Sequence, residues 1–277
     1  MTHRTGTVLH GFACALTALL LTACGSSDDE GGAPPVVAGF EVKTATLSGA
    51  SEVPAVTTAA AGKGGVVVNR ATRAITGGIT FTGLTPTQAH IHLGAAGVAG
   101  SVIIPLTLVG TDTAVVPSGT TLTAAQYTAL LAGELYFNVH TAANLNGEIR
   151  GQITGHGIAS SAALDGAQET PTPVTTSATG TGTLVVDPAT RDIMIALVRF
   201  SGISGTGATA AHIHEAAPGV GGGVIVPLVL GTNIATAAPG ATLTAPQFNS
   251  LIDGNLYFNV HSVANANGEI RGQIGVP

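Results

Sequence analysis

The chain contains the same long segment twice, and this internal repeat limits its fold more than any other feature. The sequence LSGASEVP at 47–54 returns as LDGAQETP at 164–171, and AHIH at 89–92 returns at 211–214. Residues 134–153 and 255–274 differ at only four of twenty positions. The spacing, roughly 120 residues, is the length of a domain and not of a solenoid repeat. We therefore expect one domain at 40–155 and a second at 160–277, with a joint at 155–161 short enough for the two to touch.

Each copy has the composition of a β-domain. The chain has 39 glycines and no tryptophan, and its short runs rich in Val, Ile and Thr favour strands and turns over long helices. Strands are predicted at 64–69, 74–81 and 101–108, and in the second copy at 183–186, 192–200 and 223–230. The predicted fold class is all-β, with two tandem antiparallel sandwich or barrel domains of seven or eight strands.

One short helix is predicted in each copy. Thr123 and Gln126 have the spacing of a capping box, in which each side chain bonds the other residue's backbone N–H, and Gly133 suits the position just beyond the helix. The second copy repeats this pattern at Thr244, Gln247 and Gly254. The predicted apolar face of the first helix consists of Tyr127, Leu130 and Leu131.

The N-terminus has the features of a bacterial export signal. Residues 1–10 are polar and include Arg4, residues 11–21 are apolar, and small residues precede Cys24. The apolar run is shorter than the roughly 20 residues that a membrane span needs. The sequence LTAC at 21–24 resembles the lipobox of bacterial lipoproteins, which implies a signal peptide at 1–23 and lipidation of Cys24. Residues 24–39 are rich in Gly, Ser, Asp and Pro and are predicted to be a flexible tether.

Cysteine usage and charge restrict the location and the partners. Cys14 and Cys24 are the only cysteines, so the mature chain would contain no disulfide. Gly25 after Cys24 favours, by the lipoprotein pattern, a lipid anchor in the outer membrane, facing the periplasm or the cell surface. The expected partners are the membrane, through the lipid, and an extracytoplasmic protein. The net charge of −6 and the absence of a basic patch exclude nucleic acid as an expected partner.

Histidines fall on predicted strands in a pattern that could hold a metal ion. Alternation puts His90 and His92 on one face of a strand, with Cα atoms roughly 6.5 Å apart. Their rings could converge on one ion at about 2.0–2.1 Å, and a third imidazole from a neighbouring strand would complete a site suited to copper or zinc. The predicted ligands are His90, His92 and His140 in the first domain and His212, His214 and His261 in the second.

Charged residues accompany the histidines on these strand faces. The residues predicted to support the metal ligands are Glu148, Arg150, Glu269 and Arg271. Under the alternative interpretation the histidines are structural, and Glu148 and Arg150 form an ordinary cross-strand ion pair. His156 lies in the joint and has no counterpart, so we interpret it as incidental.

The segments LSGASEVP, AHIH and YFNVHTAANLNGEIRGQI resemble the CHRD domain, which is repeated in the animal protein chordin and found widely in bacterial secreted proteins. The resemblance covers nearly all of both copies. It implies an extracellular all-β module and carries no assigned enzymatic reaction. In chordin the modules belong to an antagonist of bone morphogenetic proteins, but a shared fold does not transfer that function.

Shorter motifs are similar to copper-zinc superoxide dismutase. His212-Ile-His-Glu215 is similar to its first copper-binding strand, and Asn138-Val-His140 and Asn259-Val-His261 to a later one. This similarity implies that the six histidines are copper ligands and that Arg150 and Arg271 lie near the metal. The bridging histidine, zinc loop and cysteine pair of the dismutases are missing from the sequence. Each domain is thus expected to have an immunoglobulin-like or superoxide-dismutase-like architecture.

Three functions are compatible with the sequence. The first is a binding module of the cell envelope that binds copper or zinc through three histidines per domain. The second is a structural or adhesive surface protein without metal. The third is a dismutase-like copper redox enzyme, which the net negative charge does not favour because superoxide is an anion. We assign no catalytic residue, and binding is expected rather than enzymatic activity. Phosphate loops and Ser-His-Asp motifs are not evident.

Overall fold

A computed structural model describes residues 39–275 of the chain. The predicted signal peptide at 1–23, the lipidation site Cys24 and all of the tether except residue 39 lie outside the described residues. Within 39–275, none of the helices has the length and apolar character that a membrane crossing requires.

The first repeat forms an antiparallel sheet that bends almost into a closed barrel. Its order is β5-β4-β8-β9-β1-β2-β3-β7-β6, and the two ends of this order are consecutive in the chain, separated only by Leu106. The strands are β1 (Phe40–Ser48), β2 (Ala61–Asn69), β3 (Ile75–Thr82), β4 (Gln88–Leu93), β5 (Ser101–Pro105), β6 (Thr107–Val109), β7 (Thr113–Val115), β8 (Leu135–His140) and β9 (Ile149–Gln152). A two-residue strand, β10 (Gly155–His156), pairs with β1.

The second repeat forms a closed barrel of eight antiparallel strands in the order β11-β12-β13-β16-β15-β14-β17-β18. Its strands are β11 (Ile158–Asp165), β12 (Thr179–Val186), β13 (Ile193–Ser201), β14 (Ala208–Glu215), β15 (Gly223–Gly231), β16 (Ile234–Ala237), β17 (Leu256–Ser262) and β18 (Ile270–Ile274). The single strand β15 corresponds to β5 and β6 of the first repeat. These two sheets confirm the predicted all-β class.

Each repeat contains one α-helix, as predicted, and it directly precedes β8 in the first repeat and β17 in the second. Helix α1 (Ala124–Leu131) starts after Thr123, and helix α2 (Ala245–Ile252) starts after Thr244, each with a complete capping box. Gly133 and Gly254 follow with φ of 73° and 72°, a left-handed conformation that glycine adopts without strain. The predicted apolar face of α1 is wrong at one position: Leu131 is 49% exposed, because only Leu130 of the adjacent pair faces the barrel.

A separate apolar cluster joins the two barrels. Outward-facing side chains of the second barrel, among them Val185, Ile195 and Leu197, pack with Val109 and Val115 of the first. Lys63 of β2 also forms an ion pair with Asp192. The two barrels therefore bury a shared apolar surface in addition to their own cores.

Candidate metal centre

The pairing of β4 with β8 brings three histidines of the first barrel together. His90 lies opposite Asn138, His92 lies opposite Tyr136, and His140 pairs with Gln88, two residues from His90. Since side chains alternate along a strand, the three imidazoles share one face of the sheet, and Ile91 on the other face lies in the core. The pairing of β14 with β17 does the same for His212, His214 and His261.

The two predicted triads are assembled with nearly equal dimensions. The ring centroids of His90 and His140 are 4.8 Å apart, those of His90 and His92 are 5.5 Å apart, and those of His92 and His140 are 5.8 Å apart. The corresponding distances in the second barrel are 4.9, 5.4 and 6.0 Å. In each triad, one ring nitrogen from every histidine lies within 4.8 Å of the other two, so each triad could hold a metal ion.

Backbone carbonyls determine which nitrogens are available. Nδ1 of His92 lies 3.0 Å from the carbonyl oxygen of Gly100, and Nδ1 of His140 lies 3.0 Å from that of Leu145. Because a carbonyl can only accept, both Nδ1 atoms carry the proton, and both Nε2 atoms keep a lone pair. Nδ1 of His90 lies 3.0 Å from Nε2 of His140. The second barrel repeats these contacts, with Gly222 and Ala266 supplying the carbonyls.

Burial keeps the imidazoles neutral. Together with the neighbouring His140 and His92, whose effects are smaller, it lowers the pKa of His90 to about 4. Burial also lowers the pKa of each of the other five: His92, His140, His212, His214 and His261. Neutral imidazole is the form that binds metal ions, so these histidines need not lose a proton at neutral pH.

One nitrogen in each triad is buried without a hydrogen-bond partner among residues 39–275. These atoms are Nε2 of His92 and Nε2 of His214. Leaving a buried polar atom unpaired costs about 1–3 kcal/mol, so such atoms in native proteins call for a functional explanation. Both are lone-pair nitrogens in a cluster of imidazoles, which is the donor set that copper and zinc prefer.

A stack of side chains supports one histidine in each barrel. The ring of Tyr136 lies parallel to the His92 ring, with centroids 4.9 Å apart at an interplanar angle of 16°. The Arg150 guanidinium lies 3.5 Å from the centroid of the Tyr136 ring. The Tyr136 hydroxyl accepts the N–H of Gly100, the residue whose carbonyl holds His92. His214, Tyr257 and Arg271 repeat the stack.

The predicted glutamates do not lie in this stack. The carboxylate of Glu148 accepts hydrogen bonds from Thr58 and Thr141, and it does not form the ion pair with Arg150 that the alternative interpretation expected. Glu148 lies in a bend directly before β9, which begins at Ile149, so strand alternation does not extend to it. Glu269 accepts hydrogen bonds from Thr176 and Ser204. His156 is exposed, in agreement with its interpretation as incidental.

Two buried glutamates were missed by sequence reasoning. Glu52 and Glu169 accept hydrogen bonds from the amides of Asn138 and Asn259, which stand between the tyrosine and the histidine of β8 and β17. Burial raises the pKa of each carboxyl to about 7, against the lowering effect of the asparagine hydrogen bond and the nearby arginine. The sequence signal that could have found them is a glutamate kept at the same position of both repeats, in SEVP and in QETP, although its neighbours differ.

The fold and the site define a class of protein: paired antiparallel β-barrels, each with a buried triad of neutral imidazoles on one face of its sheet. The family model of the CHRD domain matches residues 43–153 and 160–274, so the chain belongs to the CHRD domain family. No curated protein and no solved structure matches the chain. The likeness to copper-zinc superoxide dismutase therefore rests on the short motifs alone.

Proposed function

We propose that the protein is a lipid-anchored binding module of the cell envelope, and that each barrel binds one copper or zinc ion through its triad. The observation that carries this proposal is the buried, unpartnered Nε2 of His92, which Nδ1 bonding to Gly100 leaves as a lone pair. Its counterpart in His214 has the same environment. A metal ion in each barrel would use the lone pair of that barrel's histidine and remove the cost of burying it.

Each ligand already has the form that a metal requires. The Nδ1–H bonds of His92 and His140 hold two rings in place, so little side-chain ordering would accompany binding. His90 is only partly buried, which leaves a route for the ion and for a further ligand. Because Nε2 of His140 keeps the lone pair, Nδ1 of His90 carries the proton in their contact. In this proposal His90 gives up this contact and binds the ion through its unprotonated nitrogen, which also frees the lone pair of His140. Arg150 and Arg271 support His92 and His214 through the stacked tyrosines.

The envelope location in this proposal rests on the N-terminal sequence. The signal at 1–23 and the LTAC motif support lipidation of Cys24, and the outer membrane is the favoured destination. A structural or adhesive protein without metal is the main competing function. A dismutase-like enzyme would in addition require the bound metal to cycle between oxidation states.

Metal content tests this proposal. We would express residues 25–277 without a histidine tag, incubate the protein with copper or zinc, dialyse it and determine metal by elemental analysis. We expect about two equivalents, falling to about one in the double variants His90→Ala/His92→Ala and His212→Ala/His214→Ala. His156→Ala, at an exposed histidine, is the matched control and should retain two.

The result that contradicts the proposal is an absence of retained metal in a folded protein, which would favour the structural or adhesive function. Circular dichroism of the double variants separates two further cases. A folded variant that lacks one equivalent supports a metal site. If the wild type retains no metal and the double variant unfolds, the histidines are structural.

A further inference from the structure

We infer that the triads are built to hold copper(I) in preference to divalent ions, and that Arg150 and Arg271 set this preference through an uncompensated positive charge. This inference rests on the proposed function and names the ion that the same sites take. The observations behind it are the burial of the two arginines, their stacking behind one metal ligand and the charge of their surroundings.

The first step concerns burial. Arg150 and Arg271 are each 2% exposed, so water screens their charge poorly. The guanidinium of Arg150 donates to the carbonyls of Val98 and Ala95 and to the Gln152 amide oxygen, all neutral acceptors. Arg271 likewise donates to neutral oxygens, including the carbonyl of Val220. Across residues 39–275, neither guanidinium has a carboxylate within ion-pairing distance.

The second step concerns position. The guanidinium of Arg150, the ring of Tyr136 and the ring of His92 form a continuous stack, with spacings of 3.5 Å and 4.9 Å. The charge therefore lies behind the imidazole whose free nitrogen is a candidate ligand. A cation bound by His92 would therefore be repelled by the guanidinium charge.

The third step concerns Glu52, a buried carboxyl group on which the charge of Arg150 acts. Oε1 of Glu52 and Oδ1 of Asn138 are both buried acceptors without a donor, while Nδ2 of Asn138 donates to Oε2 of Glu52. A proton on Oε1 would bond to Oδ1 and complete a reciprocal acid–amide pair. In the second barrel, Nδ2 of Asn259 contacts both oxygens of Glu169, and Oδ1 of Asn259 is again unpaired. Burial raises the pKa of both carboxyl groups to about 7, so below that pH they are protonated and leave the arginine charges uncompensated.

The consequence follows from Coulomb's law. Repulsion between a bound ion and the guanidinium is twice as large for a divalent ion as for copper(I). Across a stack of this thickness, each additional unit of charge weakens binding on the order of tenfold. Three imidazoles can satisfy copper(I), whereas zinc(II) takes four ligands in tetrahedral sites. Ligand number and charge thus favour the same monovalent ion.

Competition titrations of one isolated site test this inference. We would use residues 25–277 carrying His212→Ala and His214→Ala, and titrate copper(I) under anaerobic conditions against a chromogenic copper(I) chelator. Copper(II) and zinc(II) would be titrated against matched indicators. We expect copper(I) to be held most tightly. Arg150→Gln should shift the ratio of copper(II) to copper(I) affinities about tenfold toward copper(II), and Arg150→Lys, which keeps the charge, should change it less than about threefold.

A second variant tests the charge without altering the arginine. Glu52→Gln fixes a neutral amide in place of the carboxyl, and the affinity ratio should not change if that carboxyl is already protonated. A shift toward copper(I) would show that an ionised Glu52 compensates Arg150, and would overturn the inference. Tighter binding of zinc(II) than copper(I), or an unchanged ratio in a folded Arg150→Gln protein, would also overturn it. Failure to bind any of the three ions would instead refute the proposed function.

Discussion

The two barrels agree in their histidine triads and in the side chains that support them, and they differ in strand continuity and in the surfaces on which they meet. Corresponding ring distances in the two triads differ by at most 0.2 Å. By contrast, the strand that is continuous in the second barrel, β15, is interrupted at Leu106 in the first. The carbonyl that holds the third histidine belongs to Leu145 in one barrel and to Ala266 in the other. Backbone acceptors do not depend on the side chain, so the triad geometry tolerates this divergence.

The surfaces on which the barrels meet differ more strongly. In the second barrel, Ile195 pairs with Val185. In the corresponding pair of the first barrel, Thr76 takes the place of Ile195 and pairs with Val67. The first barrel instead presents Gly65, where an added Cβ would lie 3.0 Å from Val185. A large apolar side chain on one barrel thus faces a small residue on the other, which allows close packing. The two copies therefore contribute different side chains to an asymmetric interface.

The largest expected difference between the barrels is in the free energy of unfolding, for a substitution at this interface. Ile195→Ala removes a fully buried side chain that only the second barrel contributes, and should lower the free energy of unfolding by about 3–4 kcal/mol. Chemical denaturation measures this change. Val224→Ala, at a half-exposed position of β15, is the control and should cost less than about 0.5 kcal/mol. A loss below about 1 kcal/mol for Ile195→Ala would mean that the interface contributes little.

Replacing the buried glutamates should affect both barrels alike. Burial raises the pKa of Glu52 and Glu169 to about 7. Since the folded pKa lies above the unfolded value, the contribution of each group to stability is complete below the ordinary pKa of 4.5 and is lost as the pH rises through about 7. Glu52→Gln should therefore leave stability unchanged at pH 4 and raise it at pH 8 by up to about 3 kcal/mol.

Denaturant midpoints at the two pH values measure this effect, and Glu169→Gln provides the matched variant in the second barrel. Equal gains in the two variants would support the acid–amide pair as a feature of the repeat. A Glu52→Gln protein that is less stable than the wild type at pH 8 would show that the carboxyl is ionised and stabilising.

Acid should destabilise the second barrel more than the first. Burial acts to raise the pKa of Glu269, but hydrogen bonds from Ser262, Ser204 and Thr176 outweigh it and lower this pKa to about 2. Because the folded pKa is depressed, this stabilisation is present above pH 4.5 and is lost as the pH falls through about 2. We expect Glu269→Gln to cost about 2 kcal/mol at pH 7, and Glu148→Gln, with fewer partners, about 1 kcal/mol. Hydrogen exchange resolved by barrel measures both, and equal losses would contradict the expectation.

Local sequence patterns predicted much of this structure because they depend on neighbours in the chain. Strand alternation placed His90 and His92 on one face, and the capping box set the start of α1 at Thr123. Alternation also placed His140 on the polar face of its own strand, so it was the candidate for the third ligand if that strand lay beside the one with His90 and His92. These features require only a period of two or a spacing of three residues.

Features that depend on distant segments were not predictable in this way. Glu52 reaches Asn138 across 86 residues of chain, and no periodicity relates the two positions. The alternative interpretation paired Glu148 with Arg150, but Glu148 accepts hydrogen bonds from Thr58, 90 residues away in the chain, and from Thr141. The loop carbonyls that accept hydrogen bonds from His92 and Arg150 likewise could not be predicted from side-chain patterns, because any residue supplies a carbonyl.

The smallest expected effect concerns Glu215, an acidic residue that directly follows His214 in the second barrel. Its counterpart in the first barrel is Leu93, which follows His92, so the sequence alone allows the two sites to differ. Adjacent residues of a strand face opposite sides, and the Glu215 carboxylate accepts a hydrogen bond from Ser250 of helix α2, away from the imidazoles. Glu215→Leu should therefore change the copper affinity of the second site less than about twofold, since water reaches the partly exposed Glu215 and screens its charge, unlike that of buried Arg150. Leu93→Glu should have an equally small effect on the first site, and a tenfold change in either titration would mean that charges across the sheet determine how the two barrels differ.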